Sequence, residues 1–204
     1  MSARDDILAA VRRNLPRTDA PLPEIPRFAG GGEPAVEYFR TRLELMGGRS
    51  MEVPTVAAAE ATIGELFPDA RVVCSAVPEI AGTRRIEQVR DPHELHDVEV
   101  GVFRARLGVA EAGAVWVTQE DLVVNTLAFL SQHLVVLLDP AAIVNTLHDA
   151  YDRMDCSASP YGVLMAGPSA TGDIEGVIIR GAQGARSLTV LLLTDSTARN
   201  TATA

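Results

Sequence analysis

Two loops of this sequence carry the residue types that ligand chemistry asks for. The first is Glu111-Ala112-Gly113, where a carboxylate stands beside a glycine just after the short apolar stretch Leu107-Gly108-Val109. A glycine lets the backbone turn without a Cβ in the way, so a ligand can come close to the acid. An ordinary turn glutamate would have the same sequence. Arg104 and Arg106 precede this turn, and a planar guanidinium suits a carboxylate or phosphate. The second loop is Gly167-Pro168-Ser169-Ala170-Thr171-Gly172-Asp173-Ile174-Glu175, between the apolar run Gly162 to Ala166 and the segment Gly181-Ala182-Gln183-Gly184, which Arg180 and Arg186 bracket. Ser169 or Thr171 can cap a helix opening at Asp173, whose orphan N–H groups would attract an anion. Asp173 and Glu175 in its first turn would repel one, and a capped turn without any ligand needs the same residues. Ion pairs with Glu111, Asp173 and Glu175 are the alternative use of the arginines.

Other chemistries find less support. His93-Glu94-Leu95-His96 puts two histidines on one helical face, yet no third ligand is identifiable, and two surface histidines among acids are the better reading. His133 opens an apolar strand, either facing a ligand or satisfied in the core. The two cysteines, Cys74 and Cys156, are far apart, so the chain by itself holds neither an iron–sulfur cluster nor a cysteine-rich zinc site. All 18 basic residues are arginine. The absence of lysine removes Schiff-base chemistry, pyridoxal phosphate attachment and the Walker A loop. No G-x-S-x-G nucleophile elbow occurs. No metal or cofactor is expected.

These groups must be held by a framework of 204 residues, 47% hydrophobic, enough for one domain with a sizeable core. A formal charge of −9 argues against nucleic acid or an anionic membrane as partner. No apolar run reaches the roughly 20 residues of a membrane span, and the opening Met-Ser-Ala-Arg-Asp-Asp lacks the order of a signal peptide, so a cytoplasmic setting is expected. Residues 1–15 read as an amphipathic helical arm with a capping box at Ser2 and Asp5, residues 16–34 as a proline- and glycine-rich linker, residues 35–195 as the α/β domain and 196–204 as a polar tail.

Within the domain, hydrophobic spacing predicts helices at 33–46, from Thr55 to Phe67, at 120–130, from Pro140 to Met154 with a buried stripe of Ile143, Val144, Leu147 and Tyr151, and from Asp173 to Ile179. Strands are predicted at 49–53, 71–75, 98–103, 107–109, 113–118, 134–138, 162–166 and 187–194, with Ile86 and Val89 in a further short strand and a helical turn at 93–96. The first two strands, joined by a helix, read as a parallel pair. Alternation of helices with strands apolar throughout implies an α/β fold, a mostly parallel sheet with helices on both faces.

The combination of Gly101, Leu107-Gly-Val-Ala-Glu111-Ala-Gly113, His133-Leu-Val-Val136, Gly167-Pro-Ser-x-Thr-x-Asp-Ile-Glu175 and Gly181-x-x-Gly184 resembles the LUD-domain family, over most of the chain beyond the linker. The resemblance implies the fold shared by glucosamine-phosphate deaminases, ribose-phosphate isomerases and coenzyme A transferases. It also implies a cytoplasmic system that oxidises L-lactate to pyruvate with two iron–sulfur subunits, this chain being the non-cluster, accessory member. In the related transferases a glutamate before a glycine is the nucleophile, which makes Glu111 the candidate catalytic residue by fold-level analogy. Gly113, Gly167, Ser169, Thr171, Gly181, Gly184, Arg104 and Arg106 are the candidate ligand-binding positions, for a small carboxylate or phosphorylated ligand. Four positions depart from the family pattern: Ala112 and Ala114 replace hydroxyl residues beside the glutamate, and Gln183 and Ala185 stand where histidine and proline are usual. Those changes remove hydrogen-bond donors and a general acid or base. The alternative is a stand-alone enzyme or binding protein for a phosphorylated or coenzyme A-linked metabolite.

Overall fold

Strong local signals set most element boundaries in the computed structural model, which describes residues 2–16, 21, 23–27, 32 and 34–195. Much of the predicted linker, including Gly30 and Gly31, and the tail from 196 lie outside the described residues. Helix α1 (Ala3–Asn14) starts at the capping box of Ser2 and Asp5. Helix α2 (Ala35–Leu45) buries Phe39 and Leu43 and leads through Gly47, at φ +89°, into strand β1 (Arg49–Val53). Thr55 accepts from the Ala58 N–H and opens α3 (Val56–Leu66), followed by β2 (Val73–Ser75) and β3 (Arg84–Arg85). After a 3-10 turn at Pro92–Leu95 come β4 (Val100–Arg104), β5 (Leu107–Val109) and β6 (Ala114–Thr118). Two short helices, α4 (Gln119–Leu122) and α5 (Leu127–Leu130), precede β7 (His133–Leu138) and β8 (Ile143–Val144). Helix α6 (Leu147–Arg153), β9 (Gly162–Met165), β10 (Ala170–Thr171), β11 (Ile179–Arg180) and β12 (Ser187–Leu193) complete the chain.

The central sheet has six strands in the order β1-β12-β7-β4-β2-β3, all parallel. Its inner strands β12, β7 and β4 are largely apolar because both faces are covered, whereas β1 and β3, at the edges, carry Arg49, Glu52, Arg84 and Arg85 and are not the apolar strands expected. Val135 and Leu137 of β7 point into a cluster with Ala59 and Ile63 of α3, while Leu134, Val136 and Leu138 point into a second with Phe39 and Leu43 of α2. That second face also carries a smaller sheet, β8-β5-β6-β9, whose Val115 and Val117 share the same core. The fold is α/β, as expected, with this mixed sheet as an added layer.

Several local expectations are corrected. Strands β1 and β2 are not neighbours, because β12, β7 and β4 lie between them. The helix expected at 120–130 is broken by Val123 at φ +60°. The one expected from Pro140 to Met154 begins only at Leu147, where Thr146 and Asp149 form a capping box, and β-branched Ile143-Val144 instead pair with β5. Tyr151, assigned to its buried stripe, is exposed. Strand β9 lies at the margin of the smaller sheet and is half-buried, not covered on both faces. The helix expected from Asp173 to Ile179 is absent: β10 and β11 form an antiparallel hairpin, with Glu175 at φ +55° and Gly176 at φ +72° in the intervening loop. The short strand expected at Ile86 and Val89 sits two residues earlier, at Arg84–Arg85.

Candidate functional site

The turn between β5 and β6 is held against the last turn of α2. Gly113 has φ +56°, and a Cβ there would lie 2.4 Å from the Leu43 backbone nitrogen. Glycine is therefore needed twice over, for its dihedral angle and for the approach of the helix backbone. Arg42 Nε donates to the Glu111 carbonyl at 2.9 Å, and the Glu111 N–H donates to the Asn145 carbonyl at 3.0 Å. The side chain is engaged as well: Glu111 Oε1 accepts from the Leu147 N–H at 2.6 Å. Leu147 is the first residue of α6, so the carboxylate sits at that helix's positive end.

The Gly167–Ser169 loop meets the same turn of α2. Gly167 has φ +69°, and a Cβ there would lie 2.4 Å from the Met46 carbonyl oxygen. Ser169 is fixed by its backbone, donating to the Ala185 carbonyl at 2.9 Å and accepting from the Gly181 N–H at 2.7 Å. A Cβ on Gly184 would stand 2.9 Å from Ser169 Cβ, and Gly181, at φ +74°, packs on Arg186. Thr171 Oγ1 accepts from the Asp173 N–H at 3.3 Å. With no helix following it, this loop offers no helix dipole to an anion. It does border a cavity of about 230 Å³ lined by Phe129, Leu134, Met165, Pro168, Ser169 and Gln183. The two loops thus share the α2 platform, but Glu111 does not line that cavity.

Arg104 and Arg106 lie at the carboxyl end of β4, where parallel sheets usually present ligand groups. Arg104 pairs with Glu79 at 3.2 Å, and Arg106 Nε sits 2.9 and 2.7 Å from the two carboxylate oxygens of Asp121. The Asp121 hydrogen bond holds the Arg106 pKa above its ordinary value. Both arginines are engaged by acids, but by Glu79 and Asp121 rather than by the Glu111, Asp173 and Glu175 expected as partners from the sequence. Arg106 also borders a cavity of about 500 Å³ with Trp116, Glu120, Arg153 and Ser159, which the sequence did not suggest. Its one sequence clue is Gly162, where any Cβ would overlap the Trp116 ring.

Of the family departures, Ala114 is buried in β6, Ala112 packs on the small cluster around Val109 and Ala150, Ala185 is core, and Gln183 lines the Ser169 cavity. His93 Nδ1 lies 2.8 Å from Asp91 Oδ1 and His96 Nδ1 lies 2.9 Å from the His93 carbonyl. Among the described residues no group of three or more His, Cys, Asp or Glu side chains can hold a metal ion, and no helix is long and apolar enough to cross a membrane. His133 is half-buried, with its ring 4.9 Å from Phe67 and Nδ1 2.8 Å from Ser187 Oγ. Burial, then the nearby Arg186 and Arg49 charges, push its pKa below the ordinary value, and Glu99 opposes them.

Known proteins place the chain further. A crystal structure of a DUF162 family protein from Deinococcus radiodurans is similar, with 17% identity and a TM-score of 0.55 over 78% of this chain and 96% of that one. At that identity the likeness speaks for the fold. No curated protein matches the sequence. The family model described as LUD domain matches residues 84–193, a span that runs from β3 through both loops to the end of β12. The chain therefore belongs to the LUD-domain family, a family related to lactate utilisation.

Proposed function

We propose that this chain is the non-cluster, accessory subunit of a cytoplasmic system oxidising L-lactate to pyruvate, acting through contacts with iron–sulfur subunits. The observation that carries the reading is α1: Ile7, Leu8, Val11 and Leu15 lie on one face of a well-capped helix, and no residue of that helix is buried. Ile7 is 64% and Val11 53% exposed, a face of the kind that enters a partner's groove at three- and four-residue spacing. Family membership and a sequence with only two cysteines support the same division of labour, in which clusters reside on the partners. The test is anaerobic, reducing capture from lysate with the full chain as bait. Wild type should recover iron–sulfur proteins and Ile7→Glu/Val11→Glu should lose them. Recovery of none by wild type removes the accessory-subunit reading, and equal recovery by both removes the arm as its contact.

A second reading is favoured by the Ser169 cavity: an enzyme or binding protein for a phosphorylated or coenzyme A-linked metabolite. Gly167, Ser169 and Gly184 line the cavity; Glu111 as the reactive acid, Arg104 and Arg106 as anion donors, and Gly113, Thr171 and Gly181 stand outside its lining and would meet only a part of the ligand that extends beyond it. A volume of about 230 Å³ suits the small end of such a ligand, and Glu111 would have to release the Leu147 N–H to react. Thermal-shift titration with sugar phosphates and acyl-coenzyme A separates the readings. Stabilisation of wild type but not of Ser169→Trp supports the cavity, and no stabilisation of either removes it.

A further inference from the structure

The amino end of the central sheet carries a cavity of about 620 Å³, lined by Phe67, Asp69, Gln132, His133 and Arg186 among others. Strand register assembles it. Ser187 pairs with His133 across β12 and β7, and the Arg186 N–H donates to the Gln132 carbonyl at 2.7 Å, so residue 186 is anchored beside the imidazole. Arg49 on β1 stands outside the lining, its Nε donating to Thr189 Oγ1 at 2.9 Å, with its charge still felt by His133.

The charge balance inside the cavity is less acidic than its lining suggests. Glu99 and Asp97 border it, but the Glu99 carboxylate accepts the backbone N–H groups of Arg71 and Val72, and Asp97 is paired with Arg84. Arg186 makes no ion pair among the described residues. On the imidazole, Nδ1 is used by Ser187 Oγ, and Nε2 has no hydrogen-bond partner among the described residues. A guanidinium and a ring nitrogen are thus left to a ligand, against Asp69.

We propose that this cavity binds a small oxyanion, a carboxylate or a phosphate, held between the Arg186 guanidinium and His133. A guanidinium makes paired, charge-assisted hydrogen bonds to such a group. The groups around the imidazole are Phe67 at the end of α3, Ser187 and Arg186 on the β12 side, Arg49 on β1 and Glu99 ahead of β4. Burial and the two arginines keep the empty-site imidazole neutral at pH 7. A bound anion offsets the arginine charges, so His133 takes up a proton on binding and affinity rises as pH falls. This end of the sheet is opposite the one that carries Arg104, so the site is separate from Arg104 and Arg106; it shares no lining residue with the Ser169 cavity, although Gly181 of that loop packs on Arg186.

The experiment follows the imidazole resonances of the four histidines by NMR in the full chain, titrating inorganic phosphate and, separately, acetate at constant ionic strength. Saturable shifts confined to His133, with its titration midpoint moving up, are expected for at least one anion. Arg186→Gln, at an exposed position, should weaken that binding roughly tenfold or more, the scale of a charge-assisted hydrogen bond. His133→Gln should remove the pH dependence of any remaining acetate binding followed by calorimetry, phosphate itself ionising near neutral pH. No saturation by either anion, equal shifts of all four histidines, or undiminished binding by Arg186→Gln overturns the proposal. Phosphate against acetate in the saturating arm tells which oxyanion the site prefers.

Discussion

The carboxylate of Glu111 accepts the backbone N–H of Leu147 at 2.6 Å, joining the turn after β5 to the start of α6 across 36 residues. Thr146 and Asp149 cap the same helix locally, so Glu111 adds a long-range partner to a start that is already defined. Glu111→Gln keeps an acceptor but gives up its charge near the helix dipole, and should cost about 1 kcal/mol. Glu111→Ala should cost more, because it leaves the N–H without this partner. Urea denaturation of the two variants checks both the size and the order.

Gly113→Ala should be far more damaging than its size suggests. An alanine there would have to hold φ +56°, and its methyl would press on the α2 backbone 2.4 Å away, which rigid helix atoms cannot relieve. Left-handed strain and overpacking together should cost about 2–4 kcal/mol. Gly176→Ala has the positive φ but nothing within 4 Å, so the difference between the two variants in denaturation midpoint isolates the contact.

The two thiols should separate cleanly by reactivity. Cys74 is buried in β2 and burial pushes its pKa up to about 11, while Cys156 is exposed. A thiol-disulfide reagent at pH 8 should label Cys156 at once and Cys74 only on unfolding. Rapid labelling of both in the native state would show that the Cys74 face of the sheet opens.

Acid should weaken the fold through His133. Its folded pKa lies below the ordinary 6.5, so as pH falls through 6.5 the unfolded chain takes up the proton first and stability is lost; above that range the contribution is constant. Between pH 7.5 and 5.5 the unfolding midpoint of wild type should therefore drop more steeply than that of His133→Gln, measured in a buffer of non-coordinating anions.

What was legible in the sequence is what neighbours in the chain decide. Ser2 with Asp5 and Thr55 with Ala58 cap helices within one turn, and the Leu-Val run at 187–193 can only be a covered strand. The strand order was not legible, because β1 pairs with β12 across 140 residues and no local pattern names a partner. Residues 143–144 and 170–171 are too short to show a period, so β8 is hidden inside a helical reading and β10 inside the capping turn ahead of another. For the site, both glycine turns were visible as turns, yet their common seat on Leu43 and Met46 is a tertiary fact. The oxyanion cavity escaped for the same reason: His133 and Arg186 are brought together only by the register of β7 with β12.

The position of β12 sets a clock on synthesis. Among the described residues β1 pairs as a strand only with β12, and β12 stands between it and β7, so a growing polypeptide on the ribosome holds the 49–53 segment without its strand partner until residue 193 has left the exit tunnel. Closing so long a loop is slow, and an open strand edge is sticky meanwhile. Chaperone dependence during expression should therefore track translation past β12, and any truncation ahead of Ser187 should give insoluble protein rather than a smaller folded unit.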